Sequence, residues 1–170
     1  KDIAELLNIY DGRSNRCGNT KTSFSKTWCD NKTKARSKLI SHIVSNVFKR
    51  DFNTKSNENA FTAFKDFQSK FSGSGYTKGF IAVNARATNE FSNKKSMAYL
   101  ANRYFDPQTF NFFKERGVTL NEDLWALGEL LQWVWRGCIR NKQPMNLFIP
   151  NSRMRRLLEH WLKGTYSKVA

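Results

Sequence analysis

A chain of 170 residues that is 39% hydrophobic and 14% aromatic carries enough apolar side chain for one domain with its own core, which excludes a disordered tail. Its formal charge of +15 calls for a polyanionic partner, nucleic acid first. No apolar run approaches the roughly 18 residues of a membrane-spanning helix, so a membrane partner is not expected.

The charge is uneven. Residues 12–50 hold ten Lys/Arg against one acid, Asp30, and residues 136–170 hold eight against Glu159, while the stretch between is nearly balanced. Three cysteines, Cys17, Cys29 and Cys138, form no CxxC pair, and His42 and His160 lie at no zinc spacing. Free thiols, a reducing compartment and no metal site are expected. The first residue is Lys rather than Met and no signal-peptide core follows, which suggests a piece of a longer protein.

In chain order, residues 1–10 carry Ile3, Leu6, Leu7 and Tyr10 at helical steps and predict a short amphipathic helix. Residues 11–32 are polar, basic and aperiodic; they predict a long loop anchored by Phe24 and Trp28. Ala35, Leu39, Ile43 and Val47 share one helical face over residues 33–50, widened by Ile40, Val44 and Phe48, with Lys34, Arg36 and Lys38 on the solvent side. A short strand is expected over 60–64 and a short helix over 65–71. Residues 79–83 give the clearest strand signal. Residues 97–100 fit a strand or the start of a helix. Asp106-Pro107 marks a turn before a short aromatic helix over 109–116.

From Leu124 to Leu162 the pattern is helix, turn, strand, helix. Leu124, Leu127, Leu131 and Val134 make the first stripe, with Asn121 as cap and Glu122 and Asp123 suiting the positive end of the helix dipole. Residues 145–149 read as a buried strand, and Ser152 is the expected cap of the last helix. Strand–loop–helix alternation after residue 58 predicts an α/β domain with a largely parallel sheet, behind a basic helical lead-in over 1–57.

Two stretches invite chemistry. Asn84 to Phe91, NARATNEF, follows a buried strand and carries Arg86, Thr88, Asn89 and Glu90; it fits a ligand loop at a strand end as well as an Asn-rich turn. Gln132, Arg136 and Arg140 fall at i, i+4 and i+8 and predict one polar ridge near a helix end, where cations also suit the dipole. In the last predicted helix, Arg153, Arg155 and Arg156 fit a phosphate grip or a solvated face. Lys34 and Lys38 join them as candidate backbone contacts.

Taken together, these elements resemble the C-terminal RecA-like domain of superfamily 2 (DEAD-like) helicases of phage or mobile-element type. The likeness covers Gly75 to Leu158, roughly the last half of the chain. NARATNEF stands at that family's motif V, and QWVWRGCIR, Gln132 to Arg140, is similar to its motif VI. The usual second arginine of motif VI comes three residues after the first, whereas Arg140 follows Arg136 by four, and Trp135 stands where Gly is usual. The resemblance implies the C-terminal motor half of an ATP-dependent DNA helicase or translocase in the cytoplasm of a bacterial or phage-infected cell. Gln132, Arg136 and Arg140 would face ATP and Mg held by an N-terminal ATPase domain of the same or another chain. Arg86, Thr88 and Asn89 would couple strand contact to nucleotide state. No GxxxxGK[ST] and no DExx box occur, so this chain alone is not expected to hydrolyse ATP. A non-enzymatic nucleic-acid-binding module is the competing expectation, and an interaction domain whose charge meets a protein partner is the third.

Overall fold

The computed structural model describes residues 2–85 and 88–165. Its centre is a four-stranded, all-parallel sheet of β1 (Leu7–Ile9), β2 (Asn59–Ala63), β3 (Ser96–Leu100) and β4 (Met145–Phe148), in the order β1-β4-β3-β2. Asn59 pairs with Ser96, Ser96 with Asn146, and Leu7 with Met145. Every residue of β2 and β3 is buried, because helices cover both faces, as parallel sheets require.

On one face lie α3 (Lys34–Asn46), its π-helical continuation Val47–Asp51, and α4 (Gln68–Phe71). Phe48 and Tyr76 meet Phe61 of β2 there, with centroids 5.4 and 5.0 Å apart along the chain of contacts. On the other face α6 (Glu122–Val134) packs beside α7 (Ser152–Leu162), and Trp133 meets Tyr99 of β3 edge-on at 5.2 Å. The short α5 (Pro107–Glu115) buries no residue and leads from β3 toward α6.

Four elements differ from the sequence expectation, each for a tertiary reason. Residues 1–10 give only one helical turn, α1 (Ile3–Leu6), before the chain extends into β1. The open edge of β4 supplies ladder partners that an isolated amphipathic turn lacks. Residues ahead of 58 therefore furnish an edge strand of the same sheet. The strand expected over 79–83 shrinks to a single bridge, Phe80 with Phe61. Its carbonyl at Ile81 accepts the Trp133 indole N–H at 2.9 Å, and the chain then turns, Ala85 N–H donating to Ala82. The buried stripe of α3 is Ile40 and Val44 continuing into Val47 and Phe48, while Leu39 is 55% exposed. Asn151, not Ser152, caps α7, its Oδ1 accepting Met154 N–H at 2.8 Å.

Residues 11–32 are folded over the carboxyl end of the sheet. They contain a 3₁₀ turn at Arg13–Gly18 and α2 (Lys26–Asp30), which Ser25 caps. Asn102, just past β3, donates its side chain to Lys21 O at 2.9 Å and its backbone N–H to Phe24 O. Asn151, past β4, donates to Ser23 O at 2.7 Å, and Asn15 to Tyr10 O at 3.0 Å. All three asparagines are buried, so each must find such partners. Phe24 is fully buried at φ +64°, a conformation uncommon outside glycine and held here by the packing of Trp28 and Phe71 on its ring.

Candidate functional site

Between β2 and β3 the connections reverse direction. The chain leaves β2 outward to Phe80, returns across β2 to β3, and continues to β4 on the far side. In open α/β sheets that reversal, at the carboxyl ends of the strands, opens a crevice. Here it measures about 680 Å³ and is lined by Lys26, Lys65, Asp66, Arg103, Tyr104 and Trp125. Arg103 leans over the Trp125 ring at 5.0 Å and faces Glu129 at 3.7 Å. Beneath it the Tyr99 hydroxyl is buried without a partner, and burial pushes its pKa up to about 12.

The two helicase-like stretches meet at the opposite end. The start of α6 lies by the carboxyl end of β3, since Glu122 accepts Phe105 N–H at 2.8 Å. The chain just past its last turn reaches the residues before β3, where Cys138 N–H donates to Lys94 O. Helix α6 stops at Val134, and a separate 3₁₀ turn spans Cys138–Asn141. Gln132, Arg136 and Arg140 therefore do not form one helical ridge. At Gly137 a Cβ would meet the sulfurs of Met97 and Met145, which would have to shift to admit it, so the chain passes close over β3 and β4 there.

The arginines nonetheless converge on one loop. Arg136 donates through Nη2 to Ala85 O at 2.5 Å, and Arg140 through Nη1 to Thr88 O at 2.6 Å. The Nε of Arg136 is buried and has no hydrogen-bond partner among the described residues. The Thr88 hydroxyl accepts Glu90 N–H, and Asn89 is exposed beside it. Arg86 lies outside the described residues. Gln132 is exposed on an apolar groove of about 450 Å³ that Trp135, Arg136 and Trp161 also line, and makes no contact with the 84–91 loop among the described hydrogen bonds. Lys94, at the same corner, is held below its usual pKa by desolvation.

The α7 arginines divide. Arg153 is an internal brace, its Nη1 donating to Asn102 Oδ1 and Arg103 O and its Nη2 pairing with Asp123 at 2.8 Å. Arg155 donates to Ile149 O and Pro150 O, with burial drawing its pKa down. Arg156 is exposed, as are Lys34 and Lys38 on α3.

Residues passed over as sites in the sequence are Arg13, Arg16, Lys32 and Arg36. Arg13, Arg16, Lys32 and Arg36 surround Trp28 in a groove of about 460 Å³ on the α3 side. The sequence signals for them were the run of positive charge and the aromatics Phe24, Trp28 and Phe52 near it, which fit stacking on unpaired bases as well as anchoring of the loop. Ion pairs among the described residues are Lys95–Glu58, Arg103–Glu129, Arg153–Asp123 and Arg155–Glu159, none of them within 12–50. Among those residues, too, no three His, Cys, Asp or Glu side chains gather as a metal site, and no helix is long and apolar enough to cross a membrane.

This parallel α/β architecture agrees with the sequence comparisons. The chain belongs to the family described as the YonV C-terminal Rossmann-like domain, which matches residues 1–162. It is 42% identical over 165 residues to the SPbeta prophage-derived protein YonV of Bacillus subtilis (strain 168). That match covers 96% of this chain but 40% of the relative, so the chain spans less than half of the curated protein it resembles. No solved structure matches.

Proposed function

We propose that this domain is the nucleic-acid-binding, C-terminal half of an ATP-dependent helicase or translocase, with ATP and Mg held by an ATPase domain of the same or another chain. The observation that carries this is the meeting of Ala85 and Thr88 with Arg136 and Arg140, residues about fifty positions apart in sequence. The stretches that resemble motifs V and VI of the helicase family meet here, one loop and two guanidiniums forming one corner. The chain's own residues fit only part of the chemistry. Arg136 can offer a guanidinium to developing phosphate charge, whereas no phosphate-cradling loop is present in the sequence. DNA is the proposed polyanion, and the unpaired cations of residues 12–50 support it.

The test is Arg136→Ala in the assembly that contains the ATPase domain. DNA-stimulated hydrolysis should fall about 10³-fold, the low end of an arginine finger's worth. Single-strand affinity should hold within about twofold. Retained hydrolysis with collapsed DNA affinity would make Arg136 a phosphate contact and sink the finger assignment.

A second proposal, a nucleic-acid-binding module with no ATPase role, is favoured by one observation: Arg136 and Arg140 are already engaged by backbone carbonyls. On that view Arg136→Ala loosens the 84–91 loop, and no assembly shows hydrolysis for it to lose.

A further inference from the structure

We propose that the groove between residues 13–18, α2 and the first half of α3 docks unpaired nucleic acid, with phosphates on its cationic rim and a base against its apolar floor. This rests on the nucleic-acid part of the function proposed above and is independent of the motor part. It also places strand contact away from the 84–91 loop and the α7 arginines.

The rim is Arg13, Arg16, Lys32 and Arg36, and no Asp or Glu lines the space. None of the four makes an ion pair or a side-chain hydrogen bond among the described residues; Arg13, Arg16 and Arg36 are exposed, and Lys32 lies over the Trp28 ring. Four unneutralised cations around one concavity repel one another, a cost that a bound polyanion removes by replacing them with phosphate contacts and releasing counterions. Cys17, the one other titratable group in the lining, adds no opposing charge, since burial holds its thiol up at about 12.

The floor is what separates this patch from a merely solvated basic face. Trp28 is half-buried, with Phe24 at 4.5 Å and Phe71 at 6.5 Å bracing its ring from inside. Lys32 lies over the ring at 4.2 Å, so cation and aromatic are already paired at the groove. Leu39 is 55% exposed and, with the partly buried Ile43, stands beside Trp28 in the same lining. At about 460 Å³ the groove falls in the size range of small-ligand sites, ~300–1,000 Å³, ample for one nucleotide. Bases in a duplex have both faces stacked and offer this floor nothing. An unpaired base has a free face, and contact with aromatic side chains gives affinity without sequence preference.

Binding of the whole chain to fluorescently labelled single-stranded DNA, single-stranded RNA and duplex DNA, each across a salt series, tests the site. Arg16→Gln/Arg36→Gln should weaken single-strand binding about tenfold or more and flatten the log K against log salt slope by about 1.4, two phosphates at about 0.7 each. Leu39→Asn should weaken single-strand binding a few-fold, leave the slope unchanged and leave duplex binding alone. Lys78→Gln/Lys114→Gln removes the same charge elsewhere on the exposed surface and should change little. Circular dichroism and melting of each variant confirm folding. Salt-steep binding that survives Arg16→Gln/Arg36→Gln, or falls equally in the Lys78/Lys114 control, overturns the groove and leaves the nucleic-acid function standing. A wild-type chain that binds no strand in a salt-steep way overturns both. Equal displacement by poly-glutamate would mean that the groove takes acidic peptide, and the proposal fails. Groove-dependent binding of DNA, RNA or both supports it and identifies the strand.

Discussion

The corner at the end of α6 and the groove beside Trp28 are both rich in arginine, yet they use it oppositely. At the corner, Arg136 and Arg140 are half-buried and donate to the carbonyls of Ala85 and Thr88, holding a loop that has left the sheet. In the groove, Arg13, Arg16 and Arg36 are exposed and donate to nothing within the described chain. A guanidinium satisfied by backbone is a structural strut first, and any catalytic role requires it to let go. A guanidinium left in water is available at no structural cost. Motif likeness alone points to the first kind, and hydrogen-bond accounting points to the second.

Arg153 gives the largest expected effect along this divide. Arg153→Ala removes two bonds to the loop after β3 and the pair with Asp123, and should lower unfolding stability by about 2–4 kcal/mol in urea titration. A loss under ~0.5 kcal/mol would move Arg153 back among the free cations. Arg140→Ala should cost about 1–2 kcal/mol and speed proteolysis within 84–91. Arg36→Ala, by contrast, should leave the melting curve unmoved.

Alkaline pH gives a smaller, graded effect. Burial raises the Cys17 and Cys29 thiols from 9.0 to about 12, so the unfolded chain releases those protons first. The neutral thiols contribute stability that is complete below pH 9 and is lost as pH rises toward 12. Melting temperature should decline over that window, and substituting Cys17 and Cys29 by Ala should flatten the decline.

Much of the fold was legible locally. β2, β4, α6 and α7 carry apolar runs and stripes with clear caps, and Asn121 indeed caps α6 through a 3.0 Å bond to Leu124 N–H. The α/β class followed from that alternation and is the class observed. The pairing of Asn84–Phe91 with Gln132–Arg140 could be suspected only through resemblance, because the contact spans fifty residues. Leu39 misled the helix reading: on α3 the apolar residues cover more than half the circumference, and the sequence does not state which part faces a sheet.

By itself, the sequence determined a basic α/β chain and the starts of α3 and α6, because capping residues and apolar periodicity act within a few positions. The tertiary structure decided that residues 7–9 close the sheet, that Ile81 abandons it for the Trp133 indole, and that the basic excursion seals the carboxyl end through Asn15, Asn102 and Asn151. It also decided which arginines are struts and which stand free. Those outcomes depend on buried polar groups finding partners far along the chain, a constraint that exists only once the core has brought those partners together.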